Sequence, residues 1–446
     1  MSEEKERSTP ARSWSFQLPD NEDKEEGDGV DVPEDRPLSE ADRNLQNSHQ
    51  VPFYKFVLTG GPCGGKTTGL ARVYYFLKER GFEVVNVAEA FTILASNGMS
   101  GDFFATQGMD VVIQHTVMDV QMGLEDGVER ILRARGRPAV MMCDRGTMDG
   151  AAYMERKDWH ALLKDRGTTE TEIRDNRYNA VFHMVSAADG AEPHYTLENN
   201  QARTEDAEAA RMMDRKTQKA WVGHSHLYVF DNSTDFERKL ERLVDVIAKL
   251  VGLPSNLKRN SAKFVLRTPP KTQDFPEDID YHIFSVEKVY LTTNDGDDDT
   301  YSFIRKRTNL DPTGKKQLGF VYQLTTVTRT PSGDTIEEKR IITAREYSSA
   351  YLTRDVCRHI VLQKRISFLY KLQSFTIHIY QQPVSDICIL HAQVEATEAS
   401  TEPNVDLPPF LDVEKRLSDS NEEDEEKYSA YNISLINKIP VIKEEE

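Results

Sequence analysis

Residues 56–77 read FVLTGGPCGGKTTGLARVYYFL, and this stretch decides the fold of the first half of the chain. Three apolar residues and a threonine lead into six residues that include four glycines, and a helical pattern follows. Gly60, Gly61, Pro62, Cys63, Gly64, Gly65, Lys66 and Thr67 fit GxxxxGK[ST] without a gap, with Thr68 next. The chemistry of a phosphate site asks for these residue types. Glycines let backbone N–H groups converge on anionic oxygens at the positive end of a helix. Lys66 adds a mobile cation for terminal phosphates, and the Thr67 hydroxyl suits a Mg²⁺ ion. The stretch predicts a strand, a phosphate-cradling loop and a helix. Whether the phosphate is transferred, hydrolysed or merely held stays open at this point.

Outward from this loop, short apolar runs alternate with longer amphipathic segments as far as Leu253. The runs are YKFVLT (54–59), EVVNVA (83–88), AVMMCD (139–144), AVFHMV (180–185) and LYVFDN (227–232). Strands alternating with helices predict an α/β layer with a mostly parallel sheet. A nucleotide–Mg²⁺ site needs a carboxylate at the end of a neighbouring strand, and Asp144 is placed to supply it as metal ligand or base. Arg145 and Asp149 follow it, on the loop where a substrate would approach. Glu89 stands after EVVNVA as a second such carboxylate or as a helix cap. Arg203, Arg211 and Arg215 punctuate a charged segment, the last two on one helix face. They are candidates for a lid that closes on a γ-phosphate, against the plainer reading of a solvated helix. Asn232, after the last run, is a candidate for contact with the nucleotide base.

Beyond a linker near 254–262 the pattern changes to period-two and aromatic, β-branched runs, such as YHIFSVEKVYLTT, LGFVYQLTTVTRT and SFTIHIYQQ. Turn signals separate them, with one helical interruption at SSAYLTRDVCRHIVLQ. These predict an antiparallel sheet or barrel of six or more strands. Charge patterning frames the two domains. Residues 1–50 carry 14 acidic and 6 basic side chains, and residues 398–446 carry 14 and 5, which leaves 46 and 45 between them. The net charge of −18 therefore belongs to the tails, which are too poor in apolar residues to offset their ordering entropy. The expected organisation is an acidic disordered segment 1–50, a P-loop domain 51–253, a β-domain 260–397 and a mostly disordered acidic tail 398–446. ISLINKIPVI in that tail is an apolar exception with the potential to dock. Four widely spaced cysteines, with no CxxC pair, point to a reduced, cytoplasmic chain without a zinc site. No apolar window long enough to span a bilayer stands out, so any membrane contact is expected to be peripheral, on endomembranes. Nucleic acid is not an expected partner.

On GGPCGGKTT, CDRGTMDGAAY, NNQARTEDAEAARMMDRKTQKAW and YVFDNS, the first domain resembles the NadR-like, AAA_28-type P-loop ATPase and kinase domains. That resemblance implies phosphate binding by Gly60–Thr67, Mg²⁺ or base duty for Asp144, and closure by Arg211 or Arg215. The second domain is similar to the CYTH or triphosphate-tunnel fold, a β-barrel whose basic lining grips phosphates. Arg305 and Arg307 share a strand face, and Arg340, Lys364 and Arg365 are further basic candidates for a phosphate or lipid head group. The tunnel family's ExExK falls on Ser285, Glu287 and Val289, and its final ExE on Gln393 and Glu395. With half of the metal-holding carboxylates missing, triphosphate hydrolysis there is disfavoured. Together the two domains resemble the animal TRPL-translocation-defect proteins, which implies a regulatory protein in membrane protein trafficking that binds GTP and phosphoinositide. The residues themselves do not choose between GTP and ATP. The alternative is a small-molecule kinase of the nucleoside or nucleotide type.

Overall fold

The computed structural model describes residues 51–100, 103, 106–192, 207–253, 259–292, 300–311, 313–314, 316–329, 335–397, 405–418 and 421–436. The segment 1–50, Arg203 and the last part of ISLINKIPVI lie outside them.

The first domain is built on a five-stranded sheet in the order β2-β3-β1-β4-β5. Its strands are β1 (Phe53–Thr59), β2 (Glu83–Val87), β3 (Ala139–Asp144), β4 (Ala180–Met184) and β5 (Leu227–Phe230), all paired in parallel. β1 is central, and Tyr54 to Thr59 are all buried, as expected of a parallel strand covered on both faces. On one face, helices α1 (Lys66–Lys78) and α6 (Phe236–Leu250) bury Val73, Leu77, Leu243 and Ile247 against Phe56, Leu58 and Phe182. The other face takes α3 (Met109–Arg135) and α4 (Arg156–Asp165), where Met118, Trp159 and Leu162 meet Val57, Cys143 and Trp221. Helix α2 (Ala90–Ser96) follows β2, and α5 (Ala207–Ala220) precedes β5. Under the second face, Glu125 pairs with Arg177 at 2.6 Å and accepts from the Tyr178 hydroxyl at 2.8 Å, while Lys55 reaches Glu129 at 2.6 Å. This buried ionic group is satisfied internally and has no counterpart in the sequence reading.

The second domain is a nine-stranded antiparallel sheet in the order β10-β9-β8-β7-β11-β12-β13-β6-β14. The strands are β6 (Arg259–Leu266), β7 (Tyr281–Tyr290), β8 (Thr300–Leu310), β9 (Gln317–Arg329), β10 (Thr335–Ile342), β11 (Val361–Tyr370), β12 (Gln373–Gln382), β13 (Cys388–Thr397) and β14 (Val413–Arg416). The expected antiparallel sheet is present, but among the described residues the edge strands β10 and β14 do not pair, so it is not shown closed as a barrel. Closure requires strand tilt and stagger that bring the edges together. Instead the P-loop domain packs against β9, β10, β12 and β13. The helical interruption is also shorter than expected. Thr343 and Glu346 form a capping box that starts α7 (Ala344–Tyr351), and Val361 already belongs to β11.

The tail differs from its composition as well. Phe410, Leu411 and Val413 cover the apolar face made by Phe264, Ile366, Phe368 and Phe375, and β14 adds to β6. Helices α8 (Glu422–Tyr428) and α9 (Ala430–Ile433) follow, with the Arg358 guanidinium 3.7 Å over the Tyr431 ring. A few apolar residues at the right positions suffice to dock an otherwise acidic segment, and average composition hides them.

Candidate functional site

The glycine loop joins β1 to α1 and is shaped by close approaches. Gly60 has φ +133°, and a Cβ there would stand 2.0 Å from the Met184 carbonyl oxygen; one on Gly64 would stand 2.5 Å from the same atom. Gly65, at φ +89°, is the N-cap of α1 and lies against the Phe236 ring. Cys63, at φ 55°, adopts the left-handed region without being glycine, a conformation that costs roughly 1–3 kcal/mol. Lys66 Nζ folds back on the loop and donates to the carbonyl oxygens of Gly60 at 3.0 Å and Gly61 at 2.9 Å. Burial, reinforced by Arg145, lowers its pKa to about 8, against the pull of Asp144, Glu89 and Asp149.

Asp144 ends β3 directly beside β1, with Leu58 as its register partner. Its Oδ1 is buried without a hydrogen-bond partner, and burial raises its carboxyl pKa despite nearby Lys66. Arg145 follows at φ 67°; its Nε lies 2.8 Å from Glu89 and its Nη1 3.5 Å from Asp149. Burial opposes its charge, but Tyr153, Asp149, Glu89 and Asp144 together hold its pKa above the usual value. Asp149 is itself fixed, accepting from the Thr59 hydroxyl and from Gly146 N–H at 2.7 Å. Glu89 occupies the N-cap of α2, yet its carboxylate caps no amide; it takes Arg145 and the Thr92 hydroxyl instead.

One cavity of about 1790 Å³ unites these groups. Pro62 to Thr68, Glu89, Asp144, Arg145 and Asn232 all line it. The sequence thus pointed to groups that the fold does bring together. Asn232 has a more particular role than contact with a base. Its amide donates to Ser186 O at 2.8 Å and Asp189 O at 2.6 Å, and its oxygen accepts from Lys239 at 2.7 Å, so it fastens the loop after β4. Lys239 also donates to Val185 O at 2.8 Å, and burial lowers its pKa to about 8.

The arginines of α5 do not line the cavity in this structure. Arg211 donates to the Ala188 carbonyl at 2.7 Å and pairs with Glu208 at 3.0 Å, while Arg215 is exposed; neither lines the cavity. Between them the sequence reading missed Asp214, which is buried and accepts from Gly61 N–H at 2.5 Å. Burial would raise its carboxyl pKa, but His183 and the Gly61 and Ser186 amides hold it below the usual range. Only its spacing within α5, on the buried side with Ala210 and Thr217, marked it.

The cations of the second domain divide between two faces. Alternation and register place Lys288, Arg305, Arg307 and Arg365 on one face, and Arg340 and Lys364 on the other. Arg340 pairs with Glu346 at 3.1 Å. Arg307 is corrected as a lipid contact: it is 4 % exposed, donates to Gly223 O and Asn309 Oδ1, and faces Asp175 of the first domain at 3.5 Å. Arg305 donates to Gln323 and Arg365 to Gln363. Burial, then Arg365, pushes Lys288 down to about 7 against the pull of Glu337, and Arg305 adds to the push; burial and Arg305 likewise push Arg365 to about 9. The sequence reading missed Lys288.

For Mg²⁺ the fit is favourable. Thr67 and Asp144 line the same cavity, and one Asp144 oxygen is buried without a hydrogen-bond partner. Among the described residues no three His, Cys, Asp or Glu side chains gather to hold a metal alone. A nucleotide-borne Mg²⁺ asks for one or two protein ligands and completes its shell with phosphate and water. No helix among the described residues is long and apolar enough to cross a membrane.

Residues 55–239 match the AAA domain family AAA_28. The matched stretch runs from β1 into the start of α6 and carries the glycine loop, Asp144 and α5. This part of the chain is a P-loop NTPase-like domain, which implies nucleotide binding, typically with Mg²⁺. The β-domain lies outside the match. No curated protein matches the chain significantly.

Proposed function

We propose that the chain is a regulatory nucleotide-binding protein that holds a nucleoside triphosphate with Mg²⁺ in the first domain and a polyanion on the cationic face of the second. The observation that carries the nucleotide reading is the buried, unpartnered Asp144 oxygen in the same cavity as Lys66 and Thr67. A buried carboxylate oxygen without a hydrogen-bond partner is costly and is satisfied when a cation arrives. The resemblance to TRPL-translocation-defect proteins supports GTP as the nucleotide, a phosphoinositide head group as the polyanion, and a role in membrane protein trafficking. Lys288, Arg305 and Arg365 are the residues assigned to that head group. Mass spectrometry of the nucleotide that co-purifies decides the base, and Lys66→Ala tests the loop. A variant that stays folded and binds nucleotide with unchanged affinity removes the assignment.

A second reading, phosphoryl transfer to a small hydroxyl-bearing acceptor, is favoured by the size of the cavity. About 1790 Å³ exceeds the volume of a typical single-ligand pocket, roughly 300–1,000 Å³. Gln114, Gln121 and Glu89 line the part of it where a second molecule would sit beside the nucleotide. Incubation with γ-labelled ATP and a panel of nucleosides tests it: a labelled acceptor supports transfer, and slow release of inorganic phosphate alone counts against it.

A further inference from the structure

Asp214 braces the glycine loop from behind. Its Oδ1 accepts from Gly61 N–H at 2.5 Å and from Ser186 N–H at 3.3 Å, with His183 Nε2 3.2 Å away. A Cβ on Gly61 would stand 2.6 Å from that oxygen, so this glycine answers to Asp214. One loop amide is therefore committed to the protein, and the loop is tied to α5.

The other end of α5 is held by Arg174 of the first domain and Arg307 of the second. Just past Ala220, the carbonyl of Val222 accepts from Arg174 Nη1 at 2.8 Å and that of Gly223 accepts from Arg307 Nη2. Cations at the C-terminal end of a helix complement its exposed carbonyls. Asp175 completes the group, pairing with Arg174 at 2.9 Å and accepting from Asn309 Nδ2 at 2.9 Å. The Arg307 guanidinium also lies 3.8 Å over the Phe284 ring. Between Asp214 and Ala220 the helix spans about 9 Å at 1.5 Å per residue, a short and stiff connection.

We propose that Asp214 is a positioning residue that links the glycine loop, through α5, to the Arg307–Asp175 latch, so that nucleotide occupancy and seating of the second domain stabilise each other. The inference rests on the nucleotide reading of the loop. Its physical content is linkage: if phosphate fixes the loop that Asp214 holds, it fixes α5, and the carbonyls offered to Arg307 are held in register. Whatever strengthens one end must then strengthen the other by the same factor. A brace that only maintains the fold has no such consequence.

The experiment uses the full chain with Mg²⁺ and non-hydrolysable GTP and ATP analogues. Equilibrium affinity is measured for wild type, Asp214→Asn, Arg307→Gln, Asn309→Ala and the doubles that combine Asp214→Asn with each latch variant. Each latch variant is expected to weaken nucleotide binding about fivefold, within the usual range of coupling between sites. The doubles are expected to bind no more weakly than their weaker single, the signature of one shared pathway. Amide exchange at residues 220–224 is expected to slow on nucleotide binding in wild type and not in Asp214→Asn. If Arg307→Gln does not fold, Asn309→Ala decides by the same cycle. Additive losses, latch variants that bind as wild type does, or nucleotide-independent exchange at 220–224 overturn the coupling and leave the nucleotide reading intact. Wild type that binds neither analogue brings down both.

Discussion

Glu89 sits at the N-cap of α2 with its carboxylate 2.8 Å from the Arg145 guanidinium, and it caps no backbone amide. The pair crosses from the end of β2 to the end of β3 and aims a buried cation, held at φ 67°, into the cavity beside Lys66. Arg145 Nη1 is buried without a hydrogen-bond partner. A fork held this way suits a terminal phosphate, and lysine lacks the fork. Arg145→Lys is expected to reduce the preference for triphosphate over diphosphate about tenfold, and Glu89→Gln to reduce it in the same direction. Paired titrations with both nucleotides check this. A preference unchanged in both variants makes the pair structural only.

Asp144 is expected to show opposite effects on stability and binding. Its carboxyl pKa is raised by burial, so ionising it in the folded chain costs stability as pH rises through that value. Asp144→Asn removes this cost and is expected to raise the stability of the metal-free protein near neutral pH. The same change is expected to abolish the gain in nucleotide affinity that Mg²⁺ brings. Thermal melts without Mg²⁺ and titrations with and without it measure both sides. A destabilised variant that keeps its Mg²⁺ response contradicts the metal-ligand role.

The parts of this site that were legible in the sequence are those encoded locally. Gly60 to Thr68 are contiguous, Asp144 ends an apolar run that reads as a strand, and Glu89 follows another. Asp214 was not legible because its partner Gly61 is 153 residues away and arginines on either side drew attention to charge of the other sign. Period-two alternation put Arg305 and Arg307 on one strand face correctly, and the register agrees. It could not say that the first domain lies against Arg307, because no local pattern records which domain covers a face. Closure of the sheet was equally invisible, since it depends on how edge strands meet. The docking of Phe410 and Leu411 was concealed by the acidic residues around them.

Lys66 is expected to make nucleotide binding depend on pH in a particular sense. Its pKa in the free protein is lowered to about 8, below its ordinary value, so the folded chain loses this proton more readily than the unfolded one. The cost of keeping Lys66 charged is present below pH about 8 and fades as pH rises toward the ordinary lysine value of about 10.4. Phosphate favours the charged form. Binding near the free-protein pKa should therefore take up protons, and affinity should fall as pH rises above it. Calorimetry in two buffers of different ionisation heat counts those protons. Binding without proton uptake, or uptake that persists in Lys66→Met, rejects Lys66 as the group responsible.

The cationic face of the second domain is expected to titrate in the neutral range. Lys288 is pushed down to about 7 by burial and by Arg365, Arg305 and Lys339 against the pull of Glu337, while Arg365 is pushed to about 9. Both are charged at low pH; Lys288 releases its proton first as pH rises. A polyanion would repel neither form but would bind the charged one far better, and bound anion would in turn raise the Lys288 pKa. Affinity for inorganic triphosphate and for a soluble inositol polyphosphate should accordingly fall as pH rises above about 7, the value for Lys288 in the free protein. Lys288→Arg should flatten that drop, since arginine has a much higher intrinsic pKa. Arg365→Gln should weaken binding at every pH, whereas Lys364→Gln, on the opposite face, should not. Liposomes containing phosphoinositide separate a membrane-borne head group from a free polyphosphate: sedimentation that follows the same pH profile supports the lipid. Equal losses from Lys364→Gln and Arg365→Gln would mean that the anion does not choose this face, and the assignment of Lys288 and Arg365 would fall with it.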